Sequence, residues 1–366
     1  MSLAANNTHP SALGNHHNSS RENLSKKSAD RIKKLRRQKL NIENLTSELR
    51  SGNITALSQA ITLIESQSSR HQEAVKKLIE NCLPHAGNAI RIGITGVPGV
   101  GKSSFIESFG LHLISQGHKV AVLAVDPSSS ISGGSILGDK TRMEKLVQSP
   151  QSYIRPTASG TSLGGVSRKT RESITLCEAA GYDIILIETV GVGQSETLVH
   201  SMTDFFLLLK LAGAGDELQG IKRGIIEMAD AIVINKADGD NIKQAKNAKL
   251  EFNRALQLYP PKANEWKPKV ILASALEHQG IDKIWELISR FMKHTKENDT
   301  FEANRAQQSK YWLTQSIEEN LKKDFYEAPE IKIALEKELL KIEQKKTTAF
   351  EAAYTLLELY RDLNAD

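Results

Sequence analysis

From residue 88 onward, short apolar runs alternate with longer segments in which apolar residues recur at helical spacing. The six apolar runs lie at 90–95, 120–125, 184–188, 205–209, 231–235 and 270–273. Most of them are almost continuously apolar, as is typical of parallel strands buried on both faces, and most of the intervening segments are long enough for crossover helices. The pattern therefore predicts a doubly wound, mainly parallel α/β sheet over residues 88–294.

Helical segments without strand signals flank the predicted sheet. Residues 29–87 form the first, and residues 295–366 form the second, in which apolar residues such as Trp312 and Ile317 recur on one face. That stripe could pack on the chain's own domain or on a second subunit, and we favour a dimerisation arm. Residues 1–28 are rich in Asn, Ser and His and poor in large apolar side chains, which predicts a disordered tail.

Composition narrows the classes of partner and compartment. The chain has 366 residues and a net charge of only +5, and its densest basic run, 31–39, lacks interleaved aromatic residues, so we expect no nucleic-acid partner. The two cysteines, Cys82 and Cys177, show no metal-ligand or CxxC spacing, which suits a reducing compartment. No apolar stretch approaches the roughly 20 residues that span a bilayer, and the first 21 residues lack a signal-peptide centre. We expect a cytoplasmic protein without membrane contact.

A phosphate-binding motif follows the first predicted strand. Residues 96–103 read GVPGVGKS, a complete G-x-x-x-x-G-K-[ST] loop, and a helix is predicted from Ser103 to about residue 115. In such loops the backbone N–H groups surround the phosphates, the lysine reaches the β- and γ-phosphates, and the hydroxyl after it ligates Mg²⁺. The residues predicted to bind the nucleotide phosphates here are Gly96, Gly99, Gly101, Lys102, Ser103 and Ser104.

The turn at the end of the run 231–235 predicts guanine as the base. Asn235, Lys236 and Asp238 fit N-K-x-D. The Asp238 carboxylate can accept hydrogen bonds from guanine N1–H and the 2-amine, whereas adenine offers neither donor at those positions and would leave the carboxylate unpaired. The loop of Ser274, Ala275 and Leu276 follows the last predicted strand and is expected to bring backbone N–H groups to guanine O6. The motifs together predict GTP rather than ATP.

A third element, Glu188-Thr189-Val190-Gly191, ends the run 184–188. Many GTPases carry D-x-x-G at this place, where the acid acts near magnesium and the glycine N–H touches the γ-phosphate. We predict these roles for Glu188 and Gly191. No glutamine directly follows Gly191, and Gln194 comes later, so hydrolysis without a partner is expected to be slow.

Two further carboxylates are candidates near the metal. Asp126 closes the run 120–125 and is predicted to contact Mg²⁺ directly or through water. Asp139 follows a Gly- and Ser-rich stretch and could position the attacking water or the metal, although the alternative of a helix N-cap remains open. The predicted catalytic set is therefore Lys102, Asp139 and Glu188.

Several longer strings make the resemblance to one family specific. They read GVPGVGKS (96–103), VDPSS (125–129), SGGSILGDKTRM (132–143), ETVGVGQSE (188–196), GDELQGIK (215–222) and NKAD (235–238). With these strings the chain closely resembles the methylmalonyl-CoA mutase-associated GTPases, the MeaB/ArgK family of G-protein metallochaperones. The likeness extends from about residue 40 to the C-terminus, and the tail before it falls outside.

The resemblance implies a GTPase domain with a helical N-terminal segment and a C-terminal dimerisation arm. It further implies that GTP binding and hydrolysis gate the delivery of adenosylcobalamin to methylmalonyl-CoA mutase or a related acyl-CoA mutase, and protect that enzyme. The region matching 213–223 couples the nucleotide site to the partner in this family, so Gln219 and Lys222 are the implied coupling residues. The sequence contains no D-x-H-x-x-G string, so we expect no cobalamin site in this chain.

Three alternatives remain open beside the function that the resemblance implies, and one of them, the transport-linked kinase, comes from an older label in the same family. A nickel-inserting GTPase maturation factor would usually carry a Cys or His cluster, for which His16 and His17 are a poor substitute. An ATPase or kinase linked to basic amino acid transport would need a protein acceptor site, and nothing in the sequence marks one. A scaffold that binds GTP without useful turnover is the third.

Overall fold

A seven-stranded parallel sheet forms the centre of the chain. The computed structural model describes residues 41–66, 68–125, 143–156, 163–189, 195–213 and 223–364. The strands are β1 (Ile90–Gly96), β2 (Val120–Val125), β3 (Ser152–Pro156), β4 (Ile184–Thr189), β5 (Phe205–Leu211), β6 (Ala231–Asn235) and β7 (Lys269–Leu272), in the order β3-β2-β4-β1-β5-β6-β7. Every pairing is parallel, so the carboxyl ends of all strands lie at one edge. The predicted fold class is confirmed.

Helices connect the strands and flank the sheet. They are α1 (Ile42–Arg50), α2 (Ile54–Glu65), α3 (Gln72–Cys82), α4 (Lys102–Ser115), α5 (Glu144–Val147), α6 (Leu163–Ala179), α7 (Ser195–His200), α8 (Arg223–Met228), α9 (Ile242–Leu256), α10 (Ile281–Glu297), α11 (Thr300–Glu327), α12 (Pro329–Glu343) and α13 (Ala349–Leu363). Within the described ranges none is both long and apolar enough to cross a membrane. The predicted tail, 1–28, and the start of the predicted N-terminal helical segment lie outside those ranges.

The sheet separates two apolar cores because successive strand side chains point to opposite faces. In β4, Ile185 and Ile187 pack in the core shared with the N-terminal helices and α6. Ile184 and Leu186 pack in the other core, against α4 and α10. Burial on both faces explains why the central strands are almost continuously apolar.

Two strand predictions differ from the structure for physical reasons. The sequence pattern missed β3, which pairs only with β2 at the sheet edge and contains Arg155 and Pro156, residues tolerated at an edge and at a strand end. The sequence pattern also ended the run that corresponds to β5 at residue 209, because Lys210 interrupts it. In the structure β5 continues through Lys210, which is buried with its ammonium 5.8 Å from the centre of the Phe252 ring.

The guanidinium of Arg305 connects helix α11 to the sheet. Arg305 donates to both oxygens of Asp204, at 2.8 and 2.7 Å, and also to the carbonyls of Gly87 and Ala89. The Asp204 side chain is 1% exposed and also accepts the Arg91 backbone N–H at 2.9 Å. Arg305 therefore ties the start of β1, the start of β5 and the C-terminal helices together.

We expect Arg305→Met to lower the free energy of unfolding by about 3 kcal/mol, because it leaves a buried carboxylate without its cation. Urea denaturation measures the change. Adding Asp204→Asn to this variant should recover part of the loss, since the buried charge is then gone. The exposed Arg290→Met serves as the control and should change stability by less than about 0.5 kcal/mol. Equal losses in both single variants would contradict the assignment.

Candidate functional site

The loop between β1 and α4 has a backbone shape that depends on glycine. Gly101 caps α4 with φ 88° in the left-handed region, and a Cβ there would lie 2.9 Å from the Asn235 side-chain nitrogen. A Cβ on Gly96 would lie 2.7 Å from the Leu209 carbonyl oxygen of β5. The loop therefore sits directly at the N-terminus of α4, where backbone N–H groups and the helix dipole favour an anion.

We expect Gly101→Ala to weaken nucleotide binding about 30-fold. Backbone strain in the left-handed region and the clash with Asn235 would together displace the loop, at a cost of about 2 kcal/mol in binding free energy. Titration of a fluorescent guanine nucleotide measures the affinity. Gly117→Ala is the matched control, since Gly117 has φ 92° but no atom within 4 Å of its added Cβ. It should cost stability through backbone strain and leave nucleotide affinity unchanged. A loss of affinity in the control would point to general destabilisation.

The Lys102 side chain folds back onto the phosphate loop itself. It is buried, and its ammonium donates to the Gly96 carbonyl at 2.7 Å and more weakly to the Val97 carbonyl at 3.4 Å. Burial lowers the pKa of Lys102, while the carboxylates of Glu188 and Glu196 oppose that shift. A partly desolvated cation beside two acids is an arrangement suited to phosphate and metal chemistry.

The two acids come from neighbouring segments. Glu188 is the penultimate residue of β4, and Glu196 lies in the first turn of α7. Both are buried, with 8% and 4% exposure. Near Glu188, the Thr189 hydroxyl donates to the Thr95 hydroxyl at 2.8 Å, which links the ends of β4 and β1. Both carboxylates act on the pKa of Lys102, so their negative charges lie within electrostatic reach of it.

The N-K-x-D turn contacts the phosphate loop directly. The Asn235 side-chain nitrogen donates to the Val100 carbonyl at 2.9 Å, and the Lys236 ammonium donates to the Gly99 carbonyl at 3.0 Å. Lys236 has φ 56°, a left-handed conformation that is uncommon for a residue with a side chain and often marks a functional site. The two predicted motifs thus form one continuous structure.

The loop after β7 meets the same turn. The buried Ser274 hydroxyl donates to an Asp238 carboxylate oxygen, and the Glu277 N–H donates to the Ser274 hydroxyl at 3.1 Å. Ala275 is 9% exposed, whereas Leu276 is 84% exposed. Ser274 therefore orients the carboxylate that is predicted to read the base.

The remaining predicted site residues divide into two groups. Ser103 is half-buried and Ser104 is exposed in the first turn of α4, on the side of the phosphate loop. The others lie outside the described residues, so their roles stay predictions; they are Asp126, Asp139, Gly191, Gln219 and Lys222.

Several buried polar atoms in this region have no hydrogen-bond partner within the part of the chain that the structure describes, as is expected where a magnesium nucleotide would bind. Among the described residues, the Ser195 hydroxyl, one Glu196 oxygen and the Asn235 side-chain oxygen are buried and accept or donate no hydrogen bond. No group of three His, Cys, Asp or Glu side chains that could hold a metal occurs in that part of the chain. Mg²⁺ commonly uses one or two carboxylates together with phosphates and water, so the hydroxyl of Ser103 and the carboxylate of Glu188 suit it without such a cluster.

Sequence reasoning missed Glu196 as a site residue. An acid in the first turn of a helix ordinarily complements the helix dipole at the surface, so its residue type gave no sign of burial. The signal available was its place eight residues after Glu188 within the string ETVGVGQSE. The packing of α7 on β1 and β4, which the sequence does not reveal, is what turns Glu196 toward Lys102.

Known proteins resemble this chain in sequence and in fold. The family model described as methylmalonyl Co-A mutase-associated GTPase MeaB matches residues 57–330. A putative GTPase of Caulobacter vibrioides is 51% identical over 292 residues, covering 80% of this chain and 89% of that protein. The mitochondrial methylmalonic aciduria type A homolog of Mus musculus is 46% identical over 301 residues, covering 80% of this chain and 72% of that protein. A crystal structure of a protein named LAO/AO transport system kinase superposes with a TM-score of 0.70 at 38% identity, covering 88% of this chain and 100% of that one.

Proposed function

Since the chain belongs to the family of methylmalonyl-CoA mutase-associated GTPases, MeaB, we propose that it binds magnesium and GTP at the carboxyl edge of its sheet and hydrolyses the β–γ bond. The observation that carries this proposal is the contact between the phosphate loop and the N-K-x-D turn, which lie 135 residues apart in sequence at Val100 and Asn235. A site that joins a phosphate cradle to a guanine-reading carboxylate has the chemistry of a GTPase.

The residues of this chain divide the work. Lys102 would exchange its bond to the Gly96 carbonyl for the β- and γ-phosphates, and Ser103, Glu188 and Asp126 would hold the metal. When bound, Mg²⁺ would neutralise part of the negative charge on the phosphates. Asp139 positions the attacking water.

Guanine is read by Asp238, whose carboxylate accepts from N1–H and the 2-amine and is oriented by Ser274. The Gly191 N–H contacts the γ-phosphate. Because Val192 rather than glutamine follows Gly191, the water is poorly held in the isolated protein, and turnover is slow without a partner.

The partner in this proposal is an adenosylcobalamin-dependent acyl-CoA mutase, with methylmalonyl-CoA mutase the first choice. The family description and the mouse homolog support it. In this reading GTP turnover gates delivery of the cofactor and protects the mutase, Gln219 and Lys222 couple the nucleotide site to it, and the cobalamin site belongs to the partner. We place the reaction in the cytoplasm, where the thiols of Cys82 and Cys177 stay reduced.

We also propose that the C-terminal helices mediate a homodimer. Large apolar side chains are exposed along α13 at positions four and three residues apart, and Phe350 is 81%, Tyr354 66% and Leu357 42% exposed. An exposed apolar stripe of this kind marks an interface. Light scattering after gel filtration should give a dimer for the native chain and a monomer for Phe350→Glu with Tyr354→Glu. The control pair Glu351→Gln and Glu358→Gln changes charge on the same helix and should leave the dimer intact.

Phosphate release tests the proposed function. The purified chain is given GTP or ATP, each alone and with a purified adenosylcobalamin-dependent methylmalonyl-CoA mutase, and the mutase alone is the blank. Slow, GTP-selective turnover that the mutase accelerates is the expected result. Turnover that the mutase does not change removes the chaperone role, and absence of turnover leaves a GTP-binding scaffold.

The ATP arm also tests a second function. The solved relative that carries the name of a transport-system kinase is 38% identical to this chain, so phosphoryl transfer from ATP to a protein acceptor is the alternative that similarity favours. A preference for ATP would support it and would contradict the role given to Asp238.

A further inference from the structure

Glu196 is a second buried carboxylate at the proposed nucleotide site, and none of the roles above uses it. It is 4% exposed, and one of its oxygens has no hydrogen-bond partner among the described residues. A buried carboxylate without a partner carries a desolvation penalty of several kcal/mol, so a donor or cation is expected to meet it in the working state of the protein.

The packing of α7 shows where Glu196 lies. Val199 packs so closely over β1 that a Cβ on Gly93 would lie 3.0 Å from its methyl group. Helix α7 belongs to the crossover between the parallel strands β4 and β5 and packs on β1 and β4, so it runs back against the strand direction. Glu196 precedes Val199 by three residues and therefore lies on the same helix face, one turn nearer the carboxyl end of β1. That end is where the phosphate loop begins.

Charge balance then limits what Glu196 can do. Lys102 is a cation within electrostatic reach of Glu196, because the negative charge of Glu196 raises the pKa of Lys102 and so opposes the larger effect of burial. When Lys102 turns to the phosphates, Glu196 and Glu188 remain as two negative charges beside a polyphosphate. A water bound to a divalent cation could donate a hydrogen bond to the unpartnered Glu196 oxygen while Lys102 stays on the phosphates.

We propose that Glu196 is a positioning residue for magnesium, accepting a hydrogen bond from a water bound to the ion while Ser103 and Glu188 hold the ion itself. This inference rests on the proposed GTP site. Outer-shell partners of this kind typically change metal affinity by about 10- to 100-fold.

Glu196→Gln separates this role from a structural one. Removing the negative charge should favour nucleotide binding in the absence of metal, but it should weaken the binding of magnesium. Binding of a fluorescent GDP is measured in EDTA and then across a magnesium titration. In EDTA the variant should bind the nucleotide at least as tightly as the native chain, since one charge facing the phosphates is gone. The magnesium concentration at half-saturation should rise about 10-fold.

Two further variants frame the result. Glu178→Gln is the matched control, because Glu178 is also a buried acid but pairs with Arg91 at 2.9 Å away from the phosphate loop, and its magnesium half-saturation should stay native. Glu196→Asp keeps the charge with a shorter reach, and it should bind nucleotide normally in EDTA while still requiring more magnesium. Circular dichroism shows whether each variant is folded. If Glu196→Gln is not, Glu196→Asp serves as the test instead.

The proposal is overturned if the folded Glu196 variant has native magnesium half-saturation, or if its nucleotide affinity falls equally in EDTA and magnesium. The second pattern would make Glu196 a structural residue of α7. Failure of the native chain to bind the fluorescent GDP under either condition would instead refute the proposed GTP site, so the two failures are distinct.

Discussion

Lys102→Met is expected to slow single-turnover GTP hydrolysis by about 100- to 1000-fold, the usual loss when one preorganised electrostatic group is removed from a reacting centre. Methionine keeps most of the apolar stem that is buried in the loop but cannot neutralise the phosphates. Phosphate release at saturating GTP measures the effect. Lys119→Met, an exposed lysine just before β2, is the control and should retain native turnover.

The same substitution should make the nucleotide-free protein more stable. Burial lowers the pKa of Lys102, so the folded state binds this proton less tightly than the unfolded chain does. Between the lowered pKa and the ordinary lysine pKa the unfolded state binds more protons, and this residue's contribution to stability therefore increases as pH rises. Thermal melts from pH 7 to 10 should show that increase in the native chain and a smaller one in Lys102→Met. A variant that is inactive and also less stable would contradict this account.

Asp238→Asn is expected to weaken GTP binding about 100-fold and to allow xanthosine triphosphate to bind. The carboxylate is proposed to accept from two guanine donors, and the loss of charge-assisted hydrogen bonds costs about 1.5–3 kcal/mol each. The amide of asparagine presents a donor where xanthine carries its 2-oxo group, so the hydrogen bonds are matched again. Competition by GTP, ATP and xanthosine triphosphate against a fluorescent nucleotide measures the change.

Stability is the control for this second substitution. The Ser274 hydroxyl donates to Asp238, and an asparagine oxygen can still accept that bond, so urea denaturation should show little change. Asn241→Ala is a useful comparison, because the Asn241 side chain only braces the Lys236 carbonyl, at 2.7 Å. It should weaken all guanine and xanthine nucleotides alike. A gain of ATP binding by Asp238→Asn would refute the role of the carboxylate.

Local chemistry explains which parts of the molecule the sequence could predict. The central strands β1, β2, β4 and β6 were predicted within about a residue because burial on both faces demands continuous apolar residues. Strand β3 was missed because an edge strand escapes that demand. The predicted strand ended too early at Lys210, because a charged residue usually marks the end of a buried strand. The burial of Lys210 here depends on the contact with the Phe252 ring, which is distant in sequence and could not be foreseen.

The candidate site follows the same division. The phosphate loop and the N-K-x-D turn are short motifs whose backbone chemistry is local, and the structure brings Lys102 and Asn235 to the same edge of the sheet. Their assigned roles stay predictions. Glu196 could not be found from its residue type, since its burial depends on how α7 packs against two strands.

The bracing of the phosphate loop has a consequence for the rate at which nucleotide arrives. The side chains of Asn235 and Lys236 donate to the Val100 and Gly99 carbonyls, and Lys102 donates to the Gly96 carbonyl, so contacts within the protein itself order the loop. Ordering a residue costs about 1–2 kcal/mol of conformational entropy, and here folding has already met that cost for the loop. An incoming nucleotide therefore spends little of its binding energy on organising the cradle. We therefore expect the association rate to depend on diffusion and on the field of the charged groups. The turn that is proposed to bind the base also orders the loop that is proposed to bind the phosphates.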